Sequence, residues 1–166
     1  TEEVTGIDIV QTQLGIAAGA TLEQLGLTQE SIDASLRGFC VQCRVTLMPA
    51  PGPGVLTTYS PPAGAGARID SCLYNGYRPA VVFDPLLAKV IVSSKAESFE
   101  PCLAKAKRAI REMVVGGIKT NRQMLLRILS SVEFESNEMF TSFFAANEAM
   151  LLSADDDDDV SDVTLQ

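Results

Sequence analysis

Few residues in this chain can do chemistry, and the first of them is an arginine. Arg68 follows the run Ala63-Gly64-Ala65-Gly66-Ala67. Small residues let a backbone approach a ligand closely, and a guanidinium offers a planar fork of donors to a carboxylate, a phosphate or bicarbonate. Arg68 is therefore the candidate catalytic group, and Gly64, Gly66 and Arg68 are the candidate substrate-binding residues for a small anion. A glycine-rich stretch between strands also serves simply as a turn, and that reading stands beside the first. Neither GxxxxGK[ST] nor a GxGxxG opening a helix occurs, so no familiar phosphate cradle is present. Asp84 and Lys89 flank an apolar run. Five residues apart on a strand they point to opposite faces, so no direct ion pair follows, and a structural role for each is the simpler expectation.

Histidine is absent. The commonest general base, the commonest zinc ligand and every Ser-His or Cys-His nucleophile pair are absent with it. The four cysteines are Cys40, Cys43, Cys72 and Cys102. Cys40-x-x-Cys43 has the spacing of half a metal knuckle, but it falls in an alternating pattern. Residues three apart on a strand face opposite sides, and no second Cys or His pair completes a ligand set, so no metal site is expected. No secretory pattern precedes the cysteines, which points to reduced thiols inside the cell.

The elements that must position these groups are legible from period and punctuation. Apolar residues at helical spacing predict a helix over 7–18, with Gly15 inside it and Gly19 as its stop. Thr21-x-x-Gln24 has the form of a capping box for a short turn, TLEQLG, and 28–36 reads as a short helix or loop. Phe39, Val41, Cys43, Val45 and Leu47 alternate with Cys40, Gln42, Arg44 and Thr46, the pattern of a half-buried strand. Turns are expected at 49–54 (PAPGPG), at 61–66 (PPAGAG) and at Asn75-Gly76. Strands are expected at 55–59, 68–73, 80–83 and 86–92. The period then becomes helical. Phe99, Leu103, Ala106, Ile110 and Met113 predict an amphipathic helix over 98–115 ended by Gly116-Gly117, with Lys105, Lys107, Arg108, Arg111 and Glu112 on its solvated face. A helix carrying Met124, Leu125, Ile128 and Leu129 and a last one carrying Phe140, Phe143, Phe144 and Met150 complete the chain. The class is α+β, an antiparallel sheet with helices packed on it, over residues 1–152; residues 153–166 form an acidic tail expected to be disordered.

Composition bounds the function. The chain has 166 residues, 46% hydrophobic and 20% charged, which suits one packed domain or part of a larger one. Its net charge is −8, and Asp155 to Asp159 with Asp162 supply six of those charges, leaving about −2 for the remainder. Such a body offers no basic footprint for nucleic acid. No apolar run is long enough to span a membrane. Residue 1 is threonine, so the chain reads as starting within a gene product, or as processed; a cytoplasmic location is expected, with the mitochondrial matrix as the alternative.

The motifs also carry a resemblance. TEEVTGIDIVQTQLGIAAGATLEQLGLTQESI, RGFCVQCRVT, SPPAGAGARID, NGY, FDPLLAKVIV, GGIKTN and EMFTSFF occur in the order found in the C-terminal part of the biotin carboxylase domain, most closely that of the pyruvate carboxylases. The resemblance covers roughly residues 1–152. It implies an enzyme of three parts: an N-terminal domain, an ATP-grasp lid and this C-terminal subdomain. The complete enzyme uses ATP, bicarbonate and magnesium to carboxylate biotin. Arg68 matches the family arginine that contacts bicarbonate and stabilises the biotin enolate oxyanion. Phe140 falls near the apolar residue against the adenine ring, and is the candidate cofactor-binding residue. Arg44, Asp84 and Lys89 match structural positions.

Departures accompany the match. The family's Glu-x-Asn-x-Arg-x-Gln-Val-Glu-His segment, with its metal-binding carboxylate and base, lies upstream of residue 1, as does the lid. The loop after Arg44-Val45-Thr46 is short. Gly15 replaces an arginine or glutamine, and Phe83 replaces a tyrosine. There is no biotinyl Met-Lys-Met. This chain alone is therefore expected to bind no cofactor and to lack ATP-dependent carboxylation, with the missing half of the enzyme or a second copy as its partner. Two other functions fit the same residues. One is a stand-alone cofactor-free cyclase or isomerase that reuses the Arg68 pocket. The other is a non-catalytic interaction module.

Overall fold

The computed structural model describes residues 1–49, 54–80 and 84–153. Three short helices come first: α1 (Glu2–Thr5), α2 (Ile9–Ala17) and α3 (Gln29–Ser35). The strands β1 (Phe39–Thr46), β2 (Thr58–Ser60), β3 (Ala67–Ser71) and β4 (Leu86–Ser94) follow. Then come α4 (Glu100–Glu112), β5 (Val114–Gly116), α5 (Arg122–Leu129), α6 (Val132–Glu135) and α7 (Phe143–Leu151). The main sheet has the order β1-β4-β3, antiparallel throughout, and β2 pairs with β5 in a separate two-stranded sheet. This is the α+β arrangement expected from the sequence.

Alternation decides the two faces of the main sheet. Val41, Cys43 and Val45 of β1 stand opposite Val92, Val90 and Ala88 of β4, and all six are buried. α4 covers this inner face. Its Cys102, Leu103, Ala106, Ala109 and Ile110 form one buried stripe at helical spacing, and its charged residues face water. Burying each large aliphatic side chain of such a stripe stabilises the fold by roughly 1.5–3 kcal/mol. The other face carries Gln42, Ile91 and Arg68 in one cross-strand row and Arg44, Lys89 and Asp70 in the next.

Several expectations need correction. The helix over 98–115 stops at Glu112, and Val114–Gly116 is a strand. Met113 and Val115 are both buried while Val114 is less so, a period of two that overrides the helical reading at the end of the stripe. The strand expected at 55–59 is Thr58–Ser60 only. The preceding Leu56 is buried in a loop, where its N–H donates to the Tyr77 carbonyl and its carbonyl accepts from Gly76. Phe140 precedes α7 instead of lying within it. The capping box, by contrast, forms in full and closes the short turn expected of it, with Thr21 N–H on Gln24 Oε1 and Gln24 N–H on Thr21 Oγ1. Residues 50–53 of the proline-rich turn, 81–83 of the expected strand and 154–166 of the acidic tail lie outside the described residues.

The far edge of β1 is closed by a side chain. Asn121 is 7% exposed. Its Oδ1 accepts from Thr46 N–H at 2.9 Å, its Nδ2 donates to the Arg44 carbonyl at 3.0 Å, and its own N–H donates to the Thr46 carbonyl. It thereby substitutes for a neighbouring strand at the point where the β1–β4 register shifts. Asn121→Ala leaves a buried N–H and C=O without partners, and should lower the unfolding free energy by about 2–3 kcal/mol. Urea denaturation checks this; an unchanged midpoint contradicts the clasp.

Candidate functional site

Arg68 sits on β3, and its side chain stands on the face of the sheet opposite α4. Strand geometry places residue i+2 on the same face, so Asp70 lies beside it. The guanidinium meets that carboxylate as a fork, with Nε to Oδ1 at 3.0 Å and Nη2 to Oδ2 at 3.2 Å. α1 lies over the same face and adds two more carboxylates. Arg68 Nη1 is 3.2 Å from Glu2 Oε2 and 3.6 Å from Glu3 Oε1. Glu3 is itself held by a hydrogen bond from Ser93 Oγ of β4. The hydrogen bonds to Asp70 and then Glu2 push the Arg68 pKa above its ordinary value, so the group is a permanent cation. Its side chain stays 46% accessible, open to a ligand from solvent.

The loop that precedes Arg68 faces elsewhere. Gly66 has a φ of 80°, its carbonyl accepts from Ser93 N–H at 2.7 Å, and a methyl group on its Cα would lie 2.4 Å from the Ser93 carbonyl oxygen. Only glycine fits there, because the turn must pass directly over the end of β4. A methyl group at Gly64 would lie 2.9 Å from Nη2 of Arg108 on α4, the helix that backs the opposite face. Gly64 and Gly66 thus set where β3 begins, while Arg68 presents its donors beyond them. Gly66→Ala should cost about 2 kcal/mol of stability by forcing a positive φ and a clash together. Thermal melting measures the loss; a variant as stable as the parent contradicts the close approach.

The remaining candidates are scattered. Phe140 is 75% exposed and forms no wall with Arg68. Asp84 caps the start of β4 through Leu86 N–H and reaches Arg44 across 3.8 Å; Lys89 stands between Arg44 and Asp70 in the cross-strand row. An open cleft of about 370 Å³ lies between the start of α2 and residues 25–27, lined by Gly6, Ile7, Asp8, Gln11, Thr12 and residues 25–27, and Arg68 is not among its walls. Sequence reasoning missed Glu2, Glu3 and Asp70. The Arg-x-Asp spacing on a strand was a readable signal for Asp70; nothing local ties residues 2 and 3 to residue 68.

The cysteines do not converge on a ligand set. Cys43 is buried in the inner face and Cys40 lies on the other side of β1. Burial pushes the Cys43 thiol up to about 11, and desolvation also raises Cys102, whose Sγ–H is directed at the Phe39 and Val92 carbonyls. Cys72 is exposed. Among the described residues no three Cys, Asp or Glu side chains group as ligands for a metal; the carboxylates around Arg68 are filled by the guanidinium. Among the described residues, then, the carboxylates around Arg68 are not grouped for a magnesium ion, and Phe140 stands exposed. No described helix is long and apolar enough to cross a membrane. Iodoacetamide at about pH 8 should alkylate Cys72 first and spare Cys43 until the fold is lost. The neutral Cys43 thiol contributes stability that is intact below the unfolded thiol pKa and falls away as pH rises toward 11. Mass spectrometry of the labelled peptides reads the order; early labelling of Cys43 would overturn it.

This fold and these motifs have known counterparts. The family profile of the biotin carboxylase C-terminal domain matches residues 44–146. The chain belongs to that family. It is 40% identical over 151 residues to the pyruvate carboxylase of Aspergillus niger, a match covering 86% of this chain and 12% of that enzyme. It is 36% identical over 155 residues to biotin carboxylase 1 of Bacillus subtilis, covering 90% of this chain and 33% of the relative. Among solved structures, the biotin carboxylase domain of a single-chain bacterial carboxylase superposes with a TM-score of 0.80 at 34% identity, over 90% of this chain and 35% of that one. The biotin carboxylase domain of the Hydrogenobacter thermophilus 2-oxoglutarate carboxylase, in complex with MgADP, ADP and bicarbonate, gives a TM-score of 0.78 at 28% identity, over 90% of this chain and 33% of that domain. The chain thus spans between about an eighth and a third of its curated relatives.

Proposed function

We propose that this chain is the rear wall of a biotin carboxylase active site, with Arg68 as the group that binds a bicarbonate-like anion and stabilises negative charge on biotin. The carrying observation is Arg68 itself: a permanent cation, anchored by Asp70 on its own strand, with its side chain turned to an open face of the sheet. A cation held in place before reaction costs no reorganisation when charge develops, which is what an oxyanion requires. The relative that binds MgADP and bicarbonate contains the whole biotin carboxylase domain, of which this chain matches a third. ATP, magnesium and biotin therefore belong in this reading to the complete enzyme, and no nucleotide step is assigned to residues 1–166.

The first helices support a partner that completes the site. α1, α2 and α3 contribute no buried residue, and Val10 and Leu14 of α2 are 65% and 66% exposed. An apolar face of that kind is suited to a covering surface, here the ATP-grasp half. By itself the chain is expected to show no biotin-dependent ATP cleavage. Co-expressed with the preceding part of a bacterial biotin carboxylase, it should associate and restore that activity, and Arg68→Ala in the reconstituted enzyme should lower it by about 100-fold or more. Activity that survives Arg68→Ala, or failure to associate, would reject the assignment.

A further inference from the structure

Arg68 is enclosed by an unusual amount of negative charge for an anion-binding group. Asp70 takes Nε and Nη2, Glu2 takes Nη1, and Glu3 lies 3.6 Å from Nη1. Of the five N–H donors of a guanidinium, these bonds occupy three, so two remain for a ligand. The same face also holds Lys89 and Arg44, with Asp84 paired to Arg44. Four carboxylates therefore oppose three cations around the one group that is turned toward a ligand.

Resting on the function proposed above, we propose that Glu2, Glu3 and Asp70 form a carboxylate collar that tunes the charge selectivity of Arg68, shifting its preference toward a singly charged or partly charged oxygen and away from a dianion such as phosphate. The attraction of Arg68 and the repulsion of the carboxylates both scale with ligand charge, so each carboxylate beside the guanidinium cancels part of the advantage that a dianion gains from the cation. At about 5 Å in a water-like medium at physiological salt, each carboxylate weakens a monoanion about twofold and a dianion about fourfold. Three together discriminate by roughly eightfold. Asp70 also positions the fork, so its removal loosens the guanidinium; Glu2 and Glu3, which approach only Nη1, carry the charge effect more cleanly.

The test is titration of the isotopically labelled chain with sodium bicarbonate and with sodium phosphate at about pH 8 and constant ionic strength, reading the Arg68 Nε–H signal by NMR. The ratio of the bicarbonate response to the phosphate response should be higher in the parent than in either glutamate variant. Glu2→Gln and Glu3→Gln should each tighten phosphate about fourfold and bicarbonate about twofold. Glu112→Gln, on the far side of the sheet, should change neither. Both Glu variants lie at exposed or part-exposed positions, and retained circular dichroism confirms that they fold. Equal tightening of the two anions, or none, overturns the collar while leaving Arg68 as an anion site. A response in the variants but not in the parent supports the collar in a stronger form. Silence of Arg68 to both anions in every variant overturns the function of Arg68 and the collar with it.

Discussion

The register of β4 between its two neighbours is the constraint on which the rest depends. Because β4 pairs with β1 on one side and β3 on the other, each of its residues fixes two partners at once. Val90 aligns Cys43 and Ile69; Ile91 aligns Gln42 and Arg68. A slip of one residue on either side would turn the buried aliphatic face toward water and send Arg68 beneath α4. The burial that makes such a slip costly is therefore what holds the guanidinium on the open face.

Two further contacts lock that register from its ends. At one end Gly66 crosses Ser93 so closely that no side chain fits, which fixes where β3 starts. At the other, Asn121 holds Arg44 and Thr46 of β1. Both residues belong to motifs that carried the family resemblance, SPPAGAGARID and GGIKTN, and both are explained by backbone geometry without reference to a ligand. Arg68 is different. Its own fold gains little from an exposed ion pair, where the attraction is screened and the side chain must be ordered.

Much of the fold was legible because it rests on local pattern. β1 could be read from strict alternation, α4 from its apolar stripe, and the turn at 21–24 from a capping box. The errors came where a tertiary partner overrode the local signal. Val114 and Val115 continue the expected helix in sequence but pair with β2 in space, and Leu56 lies in a stretch of strand composition but bonds to Gly76 and Tyr77. The site was half legible. Arg68 stood out by its glycine-rich context, and Asp70 was within reach of a period-two argument. Glu2 and Glu3 were not, since an acidic pair at the start of a helix carries no mark of what it will meet 66 residues later. Gly64 and Gly66 adjoin Arg68 in sequence, and in space Gly66 lies against Ser93 and Gly64 near Arg108 of α4, contacts that only the fold supplies.

The amide of Asn121 has one more effect. A strand at the border of a sheet exposes donors and acceptors that invite a strand of another molecule to add on, and β1 is such a border strand with an apolar sequence. By taking up the Thr46 N–H and the Arg44 carbonyl, a single asparagine leaves that end of the border fewer peptide groups for an added strand to pair with.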